Sequence, residues 1–591
     1  MYNEYEIKPI PLSVAYCRRQ VESFLESNEL RLEDVDYYAC VYRLGNDDEI
    51  LAGGGLKGDV IKCVAVGSEL RDEGFSARLI SHLISEAQTH GYQSVKTFTK
   101  PANRSIFESM GLHTIATAQN AILLESGNAL RTYCSYLESI RHEGRNGVII
   151  MNANPFTRGH QHLIETAARQ VDWLYVIVVQ EDNGSQTNFH FPYKERKRMI
   201  ESGTKHLHNV IVAEGSSFQI SAATFPTYFL KQRTDATDTH IALDLDIFTR
   251  YIATSLNANV RFVGSEPNDE LTARYNQVMH STLPQHGIEV VEIERLCHTV
   301  PISASAVRRS LSDHSLSEAG AIVPATTMPY LVASLASDAL QRELDLTPKP
   351  GLVDKENSGS HNDMDYALMS RSIKVLRPYF ADIALLDISR HDYIQKIQQI
   401  GIDAETEMLN ATKGINTHRG ALFAMGVTIG AYLLSNTGNK EGIKHIADKE
   451  QSLSNAISLI ANQMRGDESK CSHGSIVAQK YGIGGALSQA RQGYTELFNK
   501  WLPFYRAHKA EDDGMHKTLL YIMSMLQDTN IYYRVGADVA GNIRQDASRL
   551  LANYSNDAMR LMNKSFTEQA ISPGGSADML ALTIFVDAIC S

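Results

Sequence analysis

The stretch GVIIMNANPFTRGHQHLIETAA, residues 147–168, predicts a strand, a short loop and a helix in direct succession. Val148 to Met151 form an apolar strand, and Leu163, Ile164 and Ala167 fall on one face of the following helix. A strand that feeds a helix through a tight loop is typical of an α/β domain whose ligand lies at the end of the strand.

The loop ends in Thr157, Arg158, Gly159 and His160. Backbone N–H groups at a helix start bind phosphate, and Gly159 allows a ligand to approach the backbone closely. His160 is placed to meet the charge that develops on a phosphate under attack. Taken alone, the T-x-G-H motif is more typical of an ordinary capping or core histidine.

A second motif, VPISASAVRRSLS at residues 300–312, supports the ligand-binding interpretation. Ser303 or Ser305 is predicted to cap a helix whose first turn carries Arg308 and Arg309. Guanidinium groups at a helix start are well suited to phosphate. A T/H-x-G-H motif followed by I-S-x-x-x-V-R resembles the two signatures of the nucleotidylyl transferase superfamily.

Composition describes an ordinary globular protein. The chain has 591 residues, 43% of them hydrophobic and 21% charged, which suggests three or four domains. The net charge of -12 argues against nucleic-acid binding. Seven scattered cysteines without a C-x-x-C motif indicate reduced thiols. With no signal peptide at the start, and a buried helix expected at 420–434, the sequence predicts a cytoplasmic protein that does not bind membranes.

Residues 1–135 are predicted to form an α/β domain. Strands are expected at Tyr37–Tyr42, Ile61–Val66 and Val95–Thr99, with a helix whose apolar stripe is Leu79, Ile80, Leu83 and Ile84. The R-x-x-G-x-S-A run at 71–77 resembles the acyl-CoA loop of GNAT acetyltransferases, where backbone amides hold a pyrophosphate. A chance glycine turn in an unrelated α/β domain is the alternative, and no catalytic base is evident.

Residues 145–328 are predicted to form a Rossmann-like domain. Strands are expected at Trp173–Val179, Val210–Ala213, His240–Leu245, Val260–Val263 and Glu289–Ile293, alternating with helices around a parallel sheet. Asp244 and Asp246 follow one of these strands. They line the ligand site in one interpretation and are solvated strand-end residues in the other.

Several segments of the first 330 residues resemble the citrate (pro-3S)-lyase ligase family, including residues 189–204, 219–231 and 261–276. The resemblance implies that acetate attacks the α-phosphate of ATP and that the acetyl-adenylate passes to a thiol on the acyl carrier subunit of citrate lyase. It places His160 and Thr157 at the α-phosphate as catalytic residues, and magnesium is expected with the ATP. The implied ATP contacts are Asn154, Phe156, Gly159, Arg196, Ser303, Ser305 and Arg308. For the basic neighbours of Arg196, which are Lys194, Lys197 and Arg198, a surface helix charge is the alternative.

Residues 335–591 are predicted to form an all-helical domain that begins after a junction at 324–329. Five blocks stand out: residues 343–373, 412–423, 471–474, 528–536 and 571–585. They combine carboxylates, lysines and histidines with glycines, as a triphosphate and a magnesium ion require. Capping carboxylates and solvated charges are the alternative for each residue taken singly.

These blocks resemble the triphosphoribosyl-dephospho-CoA synthase family. The resemblance implies that the 2′-hydroxyl of 3′-dephospho-CoA attacks the anomeric carbon of ATP and that adenine leaves through an oxocarbenium-like state. It assigns Asp363, Asp365 and His361 to catalysis, with Asp363, Asp365, Asp528 and Asp578 as metal ligands. The implied ATP contacts are Lys349, Lys413, His418, Gly574 and Gly575.

This chain departs from the synthase pattern at Leu487 and Gln489, where the family carries an arginine and a carboxylate, and Arg491 is a possible substitute. It also reads R-V-G at Arg534, Val535 and Gly536, where the family carries R-G-G. Three alternatives stay open. The middle domain is a plain adenylyl transferase for a nucleotide or pantetheine phosphate, the third domain serves malonate decarboxylase, or the third domain is a non-catalytic module that binds the carrier.

Overall fold

The computed structural model describes residues 1–591 except 1–3, 47–48, 71–73, 181–188, 220–224, 230–233, 267–268, 297–301, 438–445 and 465–472. The chain divides into two compact units. The first comprises Met1–Asn154, Arg158–Gly184 and Phe191–Thr299, and the second Pro155–Thr157, Ser185–His190 and Val300–Ser591.

The first unit begins with a mixed sheet. Its described strands are β1 (Tyr5–Pro9), β2 (Tyr37–Arg43), β3 (Ala52–Lys57), β4 (Val60–Val66), β5 (Lys96–Thr99), β6 (His113–Thr117) and β7 (Ile122–Glu125). The strand order is β1-β2-β3-β4-β5-β7-β6, and all neighbours are antiparallel except the parallel pair β4 and β5. The helices are α1 (Ala15–Ser27), α2 (Phe75–Thr89), α3 (Arg104–Ser109) and α4 (Ala129–Ser139).

The three strands predicted in this region are confirmed, and so is the helix stripe. Leu79, Ile80 and Leu83 of α2 are buried against the sheet, while Ile84 is partly buried. Gly74, which precedes α2, has a φ of +79°, so the glycine of the R-x-x-G-x-S-A run occupies a left-handed turn. Arg71, Asp72 and Glu73 of that run lie outside the described residues.

The second sheet of the first unit is parallel throughout its described strands. These are β8 (Asn146–Met151), β9 (Trp173–Val178), β10 (Val210–Ala213), β11 (Ala258–Gly264) and β12 (Glu289–Ile293), in the order β10-β9-β8-β11-β12. The accompanying helices are α5 (Arg158–Ala168), α6 (Tyr193–Thr204), α7 (Thr234–Ile247), α8 (Ala253–Leu256) and α9 (Glu270–Thr282). The direction of winding reverses between β8 and β11, and ligands bind at the carboxyl ends of strands at such a point.

The strand predicted at His240–Leu245 is wrong, because these residues belong to helix α7. His240, Ile241, Leu243, Asp244 and Leu245 are all buried, so the run shows no helical period in its sequence. A short apolar run of this kind is indistinguishable from a buried strand by periodicity. Asp244 and Asp246 are therefore not strand-end residues. Tyr275 donates its hydroxyl to Asp244, and Asp246 accepts from the backbone of Thr117 at 2.9 Å.

A continuous apolar core joins the two sheets of the first unit. The connection between β10 and α7 adds polar contacts to the same junction. Lys96 of β5 donates to the carbonyl of Ser217 at 2.7 Å, and Tyr228 donates to the carbonyl of Phe98 at 3.3 Å. The first sheet therefore holds the β10–α7 connection in place on both sides of its undescribed residues.

The described part of the second unit contains helices and no strand. The helices are α10 (Ala304–Ser312), α11 (Leu316–Ala321), α12 (Met328–Asp345), α13 (Tyr366–Ala384), α14 (Tyr393–Ala411), α15 (Arg419–Thr437), α16 (Ile446–Gln463), α17 (His473–Tyr481), α18 (Ala486–Arg491), α19 (Leu502–His508), α20 (Gly514–Met525), α21 (Thr529–Ala552), α22 (Asn556–Glu568) and α23 (Gly574–Cys590). Several begin at a side-chain cap: Ser303, Asp365, Asp528 and Ser555 each accept from a backbone N–H of the following turn.

Helix α15 is the buried helix expected from the oily run at 420–434. Ala421, Leu422, Met425, Val427 and Ile429 are all buried in the second unit. No helix among the described residues combines the length and the apolar character needed to cross a membrane.

Candidate active sites

The first site lies where β8 ends and α5 begins, at the reversal of the parallel sheet. Ala153 has a φ of +48°, a strained value for a residue with a Cβ, so the chain turns sharply after the strand. Asn154 holds this turn, since its Oδ1 accepts from the backbone of Phe191 at 3.0 Å. Phe156 and Thr157 are buried, and Thr157 directly precedes α5.

His160 is the third residue of α5 and is half-buried. Desolvation lowers the pKa of His160 to about 4, and the positive charge of Arg295 acts in the same direction. The imidazole is therefore neutral at pH 7. In that state one ring nitrogen donates a hydrogen bond and the other accepts, and the side chain brings no charge of its own to a phosphate.

Arg295 and Glu266 complete this edge of the sheet, and sequence reasoning missed both. Arg295 follows β12 and donates to Glu266, which follows β11, at 2.6 Å. The backbone of Arg295 also donates to Ser265 Oγ at 3.0 Å. Burial raises the pKa of Glu266, while Arg295 opposes that rise. Their positions directly after two predicted strands were the available signal.

Arg196 lies on α6 in the interior of the first unit. Its Nη1 donates to the carbonyl oxygens of Asn152 and Val179 at 2.7 and 2.9 Å, and its Nε donates to Phe191 O at 2.9 Å. Asn152 and Val179 follow the neighbouring strands β8 and β9. The guanidinium thus ties the two strand ends together.

The I-S-x-x-x-V-R motif forms the start of α10 in the second unit. Ser303 is the cap, since its Oγ accepts from the backbone of Ala306 at 3.0 Å, and Ser305 Oγ lies 3.1 Å from Ser303 Oγ. Arg308 opens the second turn and not the first, because the helix begins at Ala304. Burial lowers the pKa of the Arg308 guanidinium. Val300 and Pro301 lie outside the described residues.

The second site is built around a buried ion pair in the helical unit. Lys349 Nζ donates to Glu343 Oε1 at 2.6 Å, and the two side chains are 1% and 7% exposed. Glu343 lies near the end of α12, and Lys349 lies in the loop that follows it. Sequence reasoning selected Lys349 but missed Glu343, because their pairing depends on how the loop folds back on the helix.

Asp528 caps α21 and joins it to the start of α23. Its carboxylate accepts from the backbone and hydroxyl of Ser576 at 2.8 and 3.0 Å. A Cβ on Gly575 would lie 3.0 Å from Asp528 Oδ1, and one on Gly574 would lie 2.9 Å from Asn530 Nδ2. The glycine pair therefore allows the two helix starts to approach closely.

Asp578 of α23 lies against the start of α15. A Cβ on Gly420 would lie 2.0 Å from Asp578 Oδ2, so any other residue there would displace that carboxylate. Burial raises the pKa of Asp578 well above its ordinary value, and the nearby carboxylates Glu343 and Asp528 add to the rise. The buried phenol ring of Tyr494, which sequence reasoning also missed, lies in the field of Asp578.

His418, two residues before Gly420, is buried at the same place. Its Nδ1 lies 2.9 Å from Ser372 Oγ. Desolvation lowers the pKa of His418 to about 3, and Lys349 contributes to the lowering. The structure thus brings together Lys349, His418, Asp528, Asp578, Gly574 and Gly575 from the predicted set.

The other predicted residues of this unit are exposed or make contacts of their own. His361 Nε2 is 2.9 Å from Ser572 Oγ, and its Nδ1 is 3.9 Å from Asp363 Oδ1. Asp363 is exposed, Asp365 caps α13 through Leu368 N at 2.8 Å, and Lys413 is exposed at the end of α14. Cys471 and Ser472 of the C-S-H-G block fall outside the described residues.

Oxygen donors are present for a magnesium ion, although the described residues hold no group of three or more His, Cys, Asp or Glu side chains arranged as metal ligands. Magnesium commonly takes one or two carboxylates from the protein and its remaining ligands from substrate phosphates and water. Asp528 and Asp578 fit that need by chemistry.

The departures from the synthase pattern fall on α18 and α21. Leu487 and Gln489 lie on α18, and Arg491 at its end turns toward α16, where its Nε donates to Ala461 O at 3.4 Å. In the R-V-G segment of α21, Gly536 carries the positive φ of +80° and kinks the helix. The retained glycine is therefore the one that the backbone requires.

Two family models match this chain. Residues 146–331 match the model described as citrate lyase ligase C-terminal domain, and residues 329–591 match the one described as ATP:dephospho-CoA triphosphoribosyl transferase.

Known proteins match the two halves of the chain separately. The citrate (pro-3S)-lyase ligase of Escherichia coli K12 is 37% identical over 322 residues, which cover 53% of this chain and 89% of the relative. The 2-(5''-triphosphoribosyl)-3'-dephosphocoenzyme-A synthase of Pectobacterium atrosepticum is 34% identical over 256 residues, which cover 42% of this chain and 84% of the relative. Escherichia coli ElaA, a solved structure, matches 20% of this chain and 98% of its own at 16% identity and a TM-score of 0.18, too low to show a shared fold.

Proposed function

Because the chain belongs to the citrate lyase ligase family in its first half and to the triphosphoribosyl-dephospho-CoA synthase family in its second half, we propose that it is a bifunctional enzyme. One activity acetylates the prosthetic-group thiol of the citrate lyase acyl carrier subunit, and the other makes the precursor of that group. The fusion supports a single client, since both activities serve the same thiol-bearing arm.

In the first reaction, an acetate oxygen attacks the α-phosphorus of ATP and pyrophosphate leaves. The carrier thiol then attacks the carbonyl of the acetyl-adenylate, and AMP leaves as the thioester forms. The carboxylate is a poor acyl donor until it is adenylated, so the chemistry depends mainly on alignment and neutralisation of charge. Magnesium supplies further neutralisation when it is bound with ATP.

His160 is the residue on which this assignment chiefly rests. Its neutral imidazole at the start of α5 supplies a hydrogen-bond donor at the reversal of the parallel sheet, where nucleotides bind. Arg295 adds a fixed positive charge at the same edge, and Glu266 balances it before substrate binds. Arg196 acts from beneath the loop by holding the ends of β8 and β9 together.

The remaining contacts of the first reaction follow from the family resemblance. Asn154, Phe156, Thr157 and Gly159 form the loop and helix start that receive the α-phosphate. Ser303, Ser305 and Arg308 receive the β- and γ-phosphates at the start of α10, where the cap leaves backbone N–H groups for an anion.

In the second reaction, the 2′-hydroxyl of 3′-dephospho-CoA attacks the anomeric carbon of ATP and adenine leaves. Positive charge develops on the ribose as the bond to adenine breaks, and carboxylates stabilise such a state. Glu343, Asp528 and Asp578 lie together with Lys349 in the second unit, which supports this chemistry. Asp528 and Asp578 would hold magnesium. The family resemblance adds Asp363 and Asp365 as further metal ligands and catalytic residues, His361 as a catalytic residue and Lys413 as an ATP contact.

For the first sheet we propose a GNAT-like role in holding the pantetheine-type arm that carries the acceptor thiol. The mixed sheet with its parallel β4–β5 pair and the left-handed Gly74 before α2 support it. Comparing an Arg71→Glu, Gly74→Asp variant with the parent chain tests the idea. Unchanged affinity for the acyl carrier subunit would reject it.

The direct test of the first activity is incubation with labelled acetate, ATP and deacetylated citrate lyase. We expect AMP and a labelled thioester on the acyl carrier subunit. Pyrophosphate release that needs no acetate would indicate a plain adenylyl transferase instead. For the second activity, the full-length chain should release adenine from ATP only when 3′-dephospho-CoA is present.

One observation favours a second candidate for the helical unit. Gln489 replaces the carboxylate that relatives carry on α18, and Arg491 turns toward α16. A module that binds the carrier without catalysis would then show carrier binding and no adenine release. We place both activities in the cytoplasm, where the acyl carrier subunit and its thiol stay reduced.

A further inference from the structure

Two polar atoms in the second site are buried without a hydrogen-bond partner among the described residues. They are His418 Nε2 and the hydroxyl of Tyr494, on side chains whose residues are 4% and 3% exposed. Buried polar groups in proteins are nearly always paired, and an unpaired one costs about 1–3 kcal/mol. Two such atoms in one site indicate that a ligand completes them.

The hydrogen bonds at Nδ1 of His418 determine whether its Nε2 donates or accepts. Thr417 Oγ1 donates to Ser372 Oγ at 2.7 Å, so the proton of Ser372 is free to point at His418 Nδ1, 2.9 Å away. Nδ1 then accepts, and the ring proton lies on Nε2. Burial and Lys349 keep the pKa of His418 low, so the ring stays neutral. Its Nε2–H is therefore a fixed, neutral donor.

Both side chains lie near the same carboxyl group. Asp578 acts on the hydroxyl of Tyr494, and its Oδ2 lies 2.0 Å from the position that a Cβ on Gly420, two residues from His418, would occupy. Asp578 also lies near Glu343, which pairs with Lys349, and Lys349 in turn acts on His418. These residues therefore form one cluster in the helical unit.

The charges at this place bear on the kind of ligand. Lys349 is already paired with Glu343, and His418 Nε2 and the Tyr494 hydroxyl carry no positive charge of their own, so these two atoms offer a phosphate no cation. A neutral heterocycle with ring nitrogens that accept hydrogen bonds is favoured, together with a sugar that becomes positively charged during reaction.

We propose that His418 and Tyr494 bind the adenine that leaves ATP in the synthase reaction, with His418 Nε2–H donating to a purine ring nitrogen. The proposal rests on the proposed synthase function. As the bond between the anomeric carbon and N9 breaks, its electron pair moves into the purine, and the donor stabilises the added charge on N3 or N7. The 2′-hydroxyl of dephospho-CoA forms the new bond and loses one proton, and adenine gains one, so the reaction balances.

Ser372 acts as a positioning residue in this arrangement. It does not touch the base, and its hydroxyl fixes which nitrogen of His418 carries the proton. Ser372→Ala therefore allows the other tautomer and should weaken the discrimination between purines that His418 provides, with little change in the KM for dephospho-CoA.

The test compares ATP with 7-deaza-ATP and 3-deaza-ATP as substrates of the full-length chain. Release of the purine base is measured for the parent and for His418→Phe, Ser372→Ala and Tyr494→Phe. If His418 donates to N7 or N3, one analogue loses at least about tenfold in kcat in the parent chain, and that ratio falls toward one in His418→Phe. Tyr494→Phe should lower kcat by about tenfold.

Control measurements distinguish failure of the adenine site from failure of the synthase function. His391→Gln, an exposed histidine of the same unit, should leave both analogue ratios unchanged. Acetate-dependent AMP formation and dephospho-CoA binding by each variant report folding of the two halves. If the parent chain releases no adenine, the synthase function fails. If the parent chain releases adenine, and both ratios of kcat (ATP to each analogue) persist in His418→Phe and Ser372→Ala, only the adenine site is overturned. Where a variant does not fold, the two analogues still test the proposal on the parent chain, because equal kcat with ATP and with both analogues would overturn it.

Discussion

Lys349 Nζ lies 2.6 Å from Glu343 Oε1, and both side chains are buried in the helical unit. The sequence block at residues 343–373 pointed to Lys349 as a site residue but not to Glu343. Lys349 supplies one positive charge to a site that otherwise contains carboxyl groups.

Removing one partner of this pair should destabilise the second unit strongly. Lys349→Met leaves the Glu343 carboxylate buried and uncompensated, which costs about 3–5 kcal/mol in comparable cases. Denaturant unfolding followed by circular dichroism measures the change. The matched control is Lys500→Met in the exposed pair with Glu496, where we expect a change within about 0.5 kcal/mol. Equal effects at the two lysines would contradict a buried, structurally required pair.

His160 should be needed for adenylate formation and dispensable for the synthase reaction. His160→Ala removes the donor at the α-phosphate, so acetate-dependent exchange of pyrophosphate into ATP should fall at least about 100-fold. His208→Gln, an exposed histidine of the same unit, is the control and should retain full exchange. Normal exchange in His160→Ala would show that the nucleotide is handled elsewhere.

Arg295 should control the protonation of His160. Its charge is one cause of the lowered pKa of His160, after desolvation, so Arg295→Gln should raise that pKa. The acidic limb of the pH profile for kcat/KM in pyrophosphate exchange should then move to higher pH, with a lower plateau. Arg145, just before β8, forms an exposed ion pair with Glu289 at the start of β12. Arg145→Gln breaks that pair and should not move the acidic limb of the pH profile. An acidic limb at the same pH in Arg295→Gln and in the parent chain would show that Arg295 does not act on His160.

The two histidines with lowered pKa values should make the folded state sensitive to acid. The folded-state pKa of His418 is about 3 and that of His160 is about 4, both below the ordinary 6.5. The unfolded chain takes up protons first, so this stability is complete above pH 6.5 and is lost as pH falls from 6.5 toward 4. Each such histidine contributes a slope of about 1.4 kcal/mol per pH unit. In urea unfolding between pH 7 and 4, His418→Gln should flatten the slope of the second unit, and His391→Gln should leave it unchanged.

Gly420 should be irreplaceable for the synthase activity. A Cβ at this position would meet Asp578 Oδ2 at 2.0 Å, so Gly420→Ala must displace the carboxylate. We expect adenine release to fall at least about tenfold while acetate-dependent AMP formation persists. Gly401→Ala is the matched control within helix α14, where a Cβ meets nothing within 4 Å, and it should stabilise the helix by about 0.5–1 kcal/mol. Full adenine release by Gly420→Ala would place Asp578 outside the chemistry.

Much of the first site could be predicted from sequence because its parts are local. The strand, loop and helix around His160 occupy one short segment, and apolar periodicity indicates each of them. Arg295 and Glu266 escaped notice because they meet His160 only through the pairing of β8, β11 and β12. The strand expected at His240–Leu245 failed for a related reason: a helix that is buried on most sides has no polar face to reveal its period.

In the second site, local patterns found the charged residues but not their grouping. Asp365 occurs in a motif with Asp363, yet it caps a helix, whereas Asp578 and Asp528 lie near Glu343 from distant parts of the chain. Caps and metal ligands use the same carboxylates, so residue type and spacing do not separate them.

The amino-acid sequence by itself determined the strands of the parallel sheet, the buried helix α15 and the two family memberships. Each of these depends on patterns or motifs of residues that are close together in the chain. Tertiary structure alone decided that His160 and His418 are neutral, that Lys349 meets Glu343, and that Tyr494 lies beside Asp578. The physical reason is that burial and electrostatic fields come from side chains distant along the chain, and these act only after the helices and sheets have packed.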